Sequence, residues 1–355
     1  MVTTTQTAQA AGLAESYTAM PEREAQRLLS GYYGLSATLK RFATEKDDTF
    51  AVRTSDGQKF VLKIANPGES FGEIDFQHAI LRTVERQDPG LPVPRVIASL
   101  GGEHLFAITD GSGQKRYVRL LSFLNGTPLD QTDSSAEQRQ KIGETLARLR
   151  LATEPVTHPA QGRVLAWDVQ HLASLDPLLD EISDREKKVL LRAGMDRFLT
   201  LQPQVRACRQ QVLHNDFSRS NIVVDHETPG FVTGIIDFGD AVKTAIAIDV
   251  STALLNQLPR EPQADMFAAG RDLLEGYLSI AELNEDELRL IPHLVMARVV
   301  ARALITLWRA RMFPDNQAYI LRNTEQGWHQ LAWFLDQSMD QVSTLLLDSG
   351  AKGKT

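Results

Sequence analysis

The sequence predicts an α+β chain in two lobes: a small β-rich N-lobe carrying one main helix, followed by a larger, mainly helical C-lobe. Three observations carry this. At 355 residues the chain exceeds what one ordinary compact core holds. Short β-type runs crowd the segment from Leu35 to Leu124. Beyond Asn125-Gly126 the apolar residues repeat at helical spacing instead. The expected layout is a disordered tail over 1–20, the N-lobe over 21–124, the C-lobe over 125–347 and a tail over 348–355.

Thr49 to Thr54 and Lys59 to Ile64 read as strands flanking Ser55-Asp56-Gly57-Gln58, and Asp-Gly between two such runs signals a hairpin. From Gly72 to Arg86, Ile74, Ala79, Ile80 and Leu81 among scattered charges predict a helix. Leu91-Pro92-Val93-Pro94 ends it, because proline cannot continue helical hydrogen bonding. A second hairpin runs from His104 to Leu121 around a turn at Asp110 to Gln114. In the C-lobe, Ile142, Leu146 and Leu149 form one apolar stripe in a helix over 136–152. Further helical patterns cover roughly 170–181, 184–201, 261–278, 285–311 and 316–347. A β-rich island at 211–236 interrupts them, its runs Asn221 to Val224 and Phe231 to Ile236 joined by a turn-forming stretch.

Composition narrows the function. The chain is 43% hydrophobic and 23% charged with a net charge of -7. A polyanion-binding surface needs excess Lys and Arg, so nucleic acid is not an expected partner. The single cysteine, Cys208, forms neither an intramolecular disulfide nor a cysteine-based zinc site. The start, Met1-Val2-Thr3-Thr4-Thr5-Gln6, lacks the basic and apolar run of a signal peptide. No stretch approaches ~18 uninterrupted apolar residues, so no membrane span is expected. A reducing cytoplasm is the expected location.

The chemistry lies in Val212-Leu213-His214-Asn215-Asp216-Phe217-Ser218-Arg219-Ser220-Asn221 and, sixteen positions on, in Asp237-Phe238-Gly239. Phosphoryl transfer asks for a carboxylate to take the acceptor's proton and for oxygen ligands to the magnesium that neutralises the phosphates. His-x-Asp-x-x-x-x-Asn followed by Asp-Phe-Gly supplies both. Asp216 is the expected base, and Asn221 and Asp237 the expected ligands of Mg²⁺. The hairpin between Asn221 and Asp237 brings both oxygen ligands out at one end of its ribbon. His214 is expected to shape the loop by hydrogen bonding. Any one of these residues alone would read as a turn former; their order and spacing together point to a kinase.

The N-lobe then supplies a cation. Lys63, in Val61-Leu62-Lys63-Ile64, has apolar neighbours pointing to the opposite strand face and is the expected phosphate-binding lysine. In kinases such a lysine pairs with an acid on the following helix; Glu73 and Asp75 are the candidates. No G-x-G-x-x-G loop is present, and Thr44 to Phe50 stands in its place between the first strands. Gly111-Ser112-Gly113-Gln114-Lys115 lacks phosphate-loop spacing and reads as a turn.

These residues resemble the aminoglycoside phosphotransferase and choline kinase superfamily, which shares the protein-kinase fold, and within it the hydroxylysine kinase-like branch. Blocks that fit the branch include Val61 to Glu69, Asp75-Phe76-Gln77, Val118-Arg119-Leu120-Leu121, His158-Pro159-Ala160, Ala166-Trp167-Asp168, His214 to Val224 and Gly234 to Asp240. The resemblance implies a bilobal protein-kinase-like fold with ATP or GTP held at the connector near Ser122, Phe123 and Leu124. It implies transfer of the γ-phosphate to a hydroxyl of a small amine-bearing metabolite, a hydroxylysine-like amino acid or an amino alcohol. The superfamily commonly has Gly before the catalytic Asp and an acid two places after it; Asn215 and Ser218 stand there. Arg219 adds a positive side chain near the expected phosphates.

Acceptor recognition is expected from the helical lobe. Asp240 suits a substrate ammonium, Trp167 and Asp168 the cleft wall, and Arg302 a substrate carboxylate through bidentate hydrogen bonds. Asp249, opening an apolar helix, suits capping or bracing of the catalytic loop. Two alternatives stand beside this reading, one within the enzyme class and one outside it. An antibiotic-modifying aminoglycoside phosphotransferase would favour a dense acidic cluster in the helical lobe, which the sequence lacks. A nucleotide-binding pseudokinase would have lost one of Asp216, Asn221, Asp237 and Lys63, and all four are present.

Overall fold

The computed structural model describes residues 18–42, 47–261, 263–322 and 324–347. Of the expected tails, 1–17 and 348–355 lie outside these residues, as do 43–46 of the loop before the second strand. Helix α1 (Glu22–Tyr33) precedes strands β1 (Ala37–Arg41), β2 (Asp48–Thr54) and β3 (Lys59–Ile64). Helix α2 (Phe71–Gln87) follows, then β4 (Val96–Ile97), β5 (Phe106–Thr109) and β6 (Lys115–Ser122). The six strands form one sheet in the order β1-β2-β3-β6-β4, with β5 also paired to β6. The hairpin around Asp56-Gly57 sets Thr49 opposite Lys63 and Val52 opposite Phe60.

Alternation along the strands gives the sheet two unlike faces. Phe50, Val52, Leu62 and Ile64 pack with Phe106, Val118 and Leu120 under Leu29 and Tyr33 of α1. Val61 and Leu121, on the other face, join Phe76 and Ile80 of α2 in the core that continues into the helical lobe. Helix α1 was not expected: it buries only Ala25, Leu29 and Tyr33, a stripe too thin to stand out as a periodic pattern. The tail expected through residue 20 is also corrected. Met20 is buried, and its N–H donates to Asp48 Oδ2 at 2.8 Å. The same carboxylate lies 2.8 Å from the buried Arg116 guanidinium, which also donates to the carbonyls of Ile64 and Ala65. A buried charge pair needs this full set of hydrogen bonds to offset its desolvation.

The large lobe opens with β7 (Thr127–Pro128) and α3 (Ala136–Thr153) and continues through α4 (Arg185–Ala207). Strands β8 (Gln210–Leu213), β9 (Ile222–Val224), β10 (Val232–Ile235) and β11 (Val242–Ala245) make two small antiparallel groups, β10-β9-β7 and β11-β8. Helices α5 (Ile246–Leu255), α6 (Ala268–Leu278), α7 (Glu285–Met312), α8 (Gln317–Leu321), α9 (Thr324–Asp336) and α10 (Met339–Thr344) complete it. The helix expected over 170–181 is a 3-10 run, Val169–Glu181, with Pro177 inside it. The pattern over 316–347 breaks into three short helices. That over 261–278 becomes helical as α6 only at Ala268.

Helix α7 is the axis of this lobe. It is 28 residues long with a window of mean hydropathy 1.6, so by length and composition it could cross a membrane. That window is 89% buried inside the protein, as befits a core helix.

Helices α3 and α6 meet backbone to backbone. A Cβ on Gly143 would stand 1.8 Å from Leu273 O, and one on Gly276 2.0 Å from Gln140 O. Neither neighbour is a side chain that can swing away. Gly143→Ala is therefore expected to destabilise the lobe by about 3 kcal/mol or more, read as a lowered thermal-unfolding midpoint.

Candidate active site

Strand β8 ends at Leu213, and the chain turns into the loop that holds Asp216. Two residues set its path. His214 Nε2 meets Ile236 O at 3.0 Å, while its Nδ1 accepts the Asp216 N–H at 3.3 Å. The ring therefore ties the loop to the strand end just before Asp237, and both its nitrogens are engaged with backbone. Asn215 has φ 62°, a left-handed conformation that asparagine tolerates better than most residues. Its N–H donates to Asp249 Oδ1 at 2.7 Å. Asp249 stands in the first turn of α5 and is buried, which pushes its carboxyl up to about 6 although the Asn215 N–H and the nearby Arg298 guanidinium favour ionisation.

Asn221 closes the loop. Its Nδ2 donates to Asp216 Oδ2 at 2.7 Å and to Asp216 O at 3.0 Å. Asn221 O accepts Ile236 N–H at 2.9 Å, continuing the β9-β10 pairing of Ile222 with Ile235. The register thus brings Asn221 level with the residue preceding Asp237. Asp237 is exposed and left-handed at φ 62°, and its Oδ1 accepts Gly239 N–H at 3.3 Å. On the far side of Asp216, Arg298 of α7 approaches Oδ1 at 3.7 Å. The base candidate is thus flanked by an amide on one oxygen and a guanidinium near the other.

Across the cleft, Lys63 Nζ lies 3.3 Å from Asp47 Oδ2, and Arg119 Nη2 lies 3.8 Å from the same oxygen. Burial works to raise the Asp47 carboxyl, but Lys63 and Arg119 together outweigh it and hold it below the ordinary range. Glu69 lies beside it; burial first, and the Asp47 charge next, push its carboxyl up to about 8. A cavity of about 320 Å³ opens where Lys40, Ala51, Arg53 and Lys59 meet Phe123.

Residues 38–283 match the profile of the phosphotransferase enzyme family. The chain belongs to this family. It is a small-molecule kinase, a phosphotransferase with a hydroxyl acceptor. It is 24% identical to hydroxylysine kinase of Mus musculus, over 92% of this chain and 93% of that protein. It is 30% identical to homoserine kinase of Agrobacterium fabrum over 57% of this chain and 58% of that protein. Among solved structures, an amicoumacin kinase in complex with AMP-PNP, Ca²⁺ and Ami superposes with TM-score 0.66 at 18% identity, covering 86% of this chain and 94% of that one. The bilobal protein-kinase-like fold is the one the sequence predicted.

Several expectations about this phosphotransferase are corrected by its geometry. Neither Glu73 nor Asp75 meets Lys63. Glu73 closes the capping box of α2 with Ser70 and approaches Arg163 at 3.8 Å, and Asp75 meets His158 Nε2 at 3.2 Å. The lysine's acid is Asp47, outside the helix. Arg219 does not add charge to the cleft; its Nη2 donates to Leu129 O at 2.8 Å and Thr132 O at 2.6 Å, satisfying a 3-10 turn. Asp168 does not line the cleft either. It is fully buried, caps the 3-10 run through Gln170 N–H and accepts the Thr244 hydroxyl at 3.0 Å.

Trp167 is half-buried beneath the Arg298 guanidinium, 5.4 Å from its ring centroid, and its carbonyl accepts from Arg298 Nη1. Arg302 donates to Gln330 Oε1 at 3.1 Å. Asp240 ends the turn Phe238–Asp240, partly buried. At the connector, Ser122 Oγ accepts Arg95 N–H at 2.8 Å, Phe123 N–H meets Lys59 O at 3.4 Å, and Leu124 packs on Gly234.

Arg298, Asp47 and Arg163 were missed. Arg298 carried a signal, since it stands four residues before Arg302 on one helix face. Arg163 did not: it straps the Asp237 loop by donating to Gly239 O and, at 2.9 Å, to Ala241 O.

The Asp249 carboxyl is raised from 3.8 to about 6, so its contribution to stability is full below pH 3.8 and is lost as pH rises through 6. Asp249→Asn keeps the acceptor for Asn215 and removes the titration. The stability of the parent relative to this variant is expected to fall by about 3 kcal/mol between pH 3 and 7, measured by chemical denaturation across that range. Asn215→Gly, which suits φ 62° and removes a buried side-chain amide with no hydrogen-bond partner among the described residues, is expected to unfold no earlier than the parent, and Asn215→Val to lose about 1–2 kcal/mol.

Proposed function

We propose that this phosphotransferase moves the γ-phosphate of ATP or GTP to a hydroxyl of a small amine-bearing metabolite, with Asp216 as the base. The observation that carries the reading is the grip of Asn221 on Asp216 at 2.7 Å, on a loop whose register brings Asn221 level with Ile236, beside Asp237. Asp216 takes the acceptor's proton as the hydroxyl oxygen bonds to the γ-phosphorus. The bond from that phosphorus to the bridging oxygen breaks, and the nucleoside diphosphate leaves with the electron pair.

Asn221 and Asp237 would hold Mg²⁺. The donor set fits: Asn221 directs its nitrogen at Asp216, leaving its amide oxygen, and Asp237 offers an exposed carboxylate. Among the described residues no group of three or more His, Cys, Asp or Glu could enclose an ion unaided. This suits a hard cation that completes its octahedron with phosphate oxygens and water. When bound, the ion neutralises phosphate charge. Lys63 binds the phosphates once it exchanges Asp47 for them, and His214 holds the loop. Ser122, Phe123 and Leu124 border the nucleotide base beside the Phe123 cavity. Asp240 and Trp167 face the acceptor. The cytoplasm, which supplies nucleotide donors, is the compartment this reading suits.

The relatives named for hydroxylysine and homoserine support an acceptor with both an amine and a hydroxyl. In an assay with hydroxy amino acids, amino alcohols and aminoglycosides, using ATP and GTP separately, transfer is expected only with a divalent cation. Asp216→Asn should lower kcat by about 10³-fold with nucleotide binding retained, whereas Lys63→Met should chiefly weaken the nucleotide. Undiminished transfer by Asp216→Asn would sink the base assignment.

A further inference from the structure

Two guanidiniums stand one turn apart on α7, the first of them beside Asp216. The two oxygens of Asp216 face different neighbours, Oδ2 toward Asn221 and Oδ1 toward Arg298. Asn221 marks the phosphate side, so Arg298 marks the opposite one. Arg298 is buried, rests on the Trp167 ring and donates to its carbonyl. Arg302 follows one turn on. Among the described residues it donates to the neutral Gln330 Oε1, and no carboxylate lies within ion-pair distance of it. Gln330 in turn donates to Pro259 O, so the amide acceptor is itself held in place. Burial, and then the charge of Arg298, lower the Arg302 guanidinium to about 10.

Two like charges kept close together, one of them with only an amide for company, are costly to bury. The arrangement makes physical sense if an anion completes it. A planar carboxylate matches the guanidinium fork, and it would arrive on the acceptor rather than on the nucleotide. We infer that Arg298 and Arg302 form a carboxylate subsite, so that the acceptor is a hydroxy amino acid and its decarboxylated amino alcohol is rejected. This rests on the kinase reading above and decides within it. Arg302 is then a specificity residue, while Arg298 links acceptor binding to the base it flanks.

The test pairs each acid with its carboxyl-free counterpart: homoserine with 3-aminopropan-1-ol, and 5-hydroxylysine with its decarboxylated diamine. The better acid is expected to exceed its counterpart at least about 100-fold in kcat/KM. Arg302→Gln should collapse that ratio by raising KM for the acid far more than for its counterpart. Arg302→Lys, which keeps the charge without the fork, should fall between and serves should the glutamine variant fold poorly. A ratio near one, or a ratio that survives both variants, overturns the subsite. If no acceptor is turned over, the kinase reading fails separately, and calorimetric titration of the acids still decides the subsite. Binding that needs both the carboxylate and Arg302 supports it; equal binding of acid and counterpart, or none of either, overturns it.

Discussion

The 2.7 Å hydrogen bond from Asn215 N–H to the buried Asp249 carboxylate is the constraint on which the active site depends. It holds a non-glycine residue in left-handed backbone immediately before Asp216. A left-handed residue at that point reverses the chain between β8 and β9, and so turns Asp216 back toward Asn221. Without an anchor such a conformation costs on the order of 1–2 kcal/mol and would relax. Burying the anchor excludes water that would compete for the N–H, and the same burial raises the carboxyl's affinity for a proton.

Around this anchor the loop is held mostly by backbone groups. His214 reaches across to Ile236 O, and Arg163 secures the next turn through the carbonyls of Gly239 and Ala241. Arg163 also approaches Glu73 at the start of α2, so the strap spans from the Asp237 loop to the small lobe. His158 makes a second crossing, stacked on Phe76 and paired with Asp75. The acids that the sequence offered to Lys63 therefore serve the junction between lobes. Lys63 is instead balanced by Asp47, so that a partly buried cation is compensated from outside the helix.

The legible parts of the fold were those with a local signature. Asp56-Gly57 marks its hairpin because the turn type demands those residues, and Ile142, Leu146 and Leu149 mark α3 because a helix repeats its face every turn. Helix α1 escaped because three buried residues are too few to make a stripe. The helical pattern over 316–347 runs on without a break because periodicity does not register where a short helix stops. Asn215, a departure from the glycine common in relatives of its type, is explained once its φ of 62° is seen.

By itself, the sequence determined which candidate residues come together: Asp216, Asn221 and Asp237 lie within one loop and one hairpin, so their spacing alone makes them neighbours. Only the tertiary structure decided what surrounds them. Asp47 rather than Glu73 or Asp75 at Lys63, Arg298 beside Asp216, and Arg219 turned onto Leu129 and Thr132 are contacts between elements far apart in the chain. Local periodicity says which face of a helix is buried. Which charge on that face meets which partner depends on how α7, α2 and the catalytic loop pack in three dimensions.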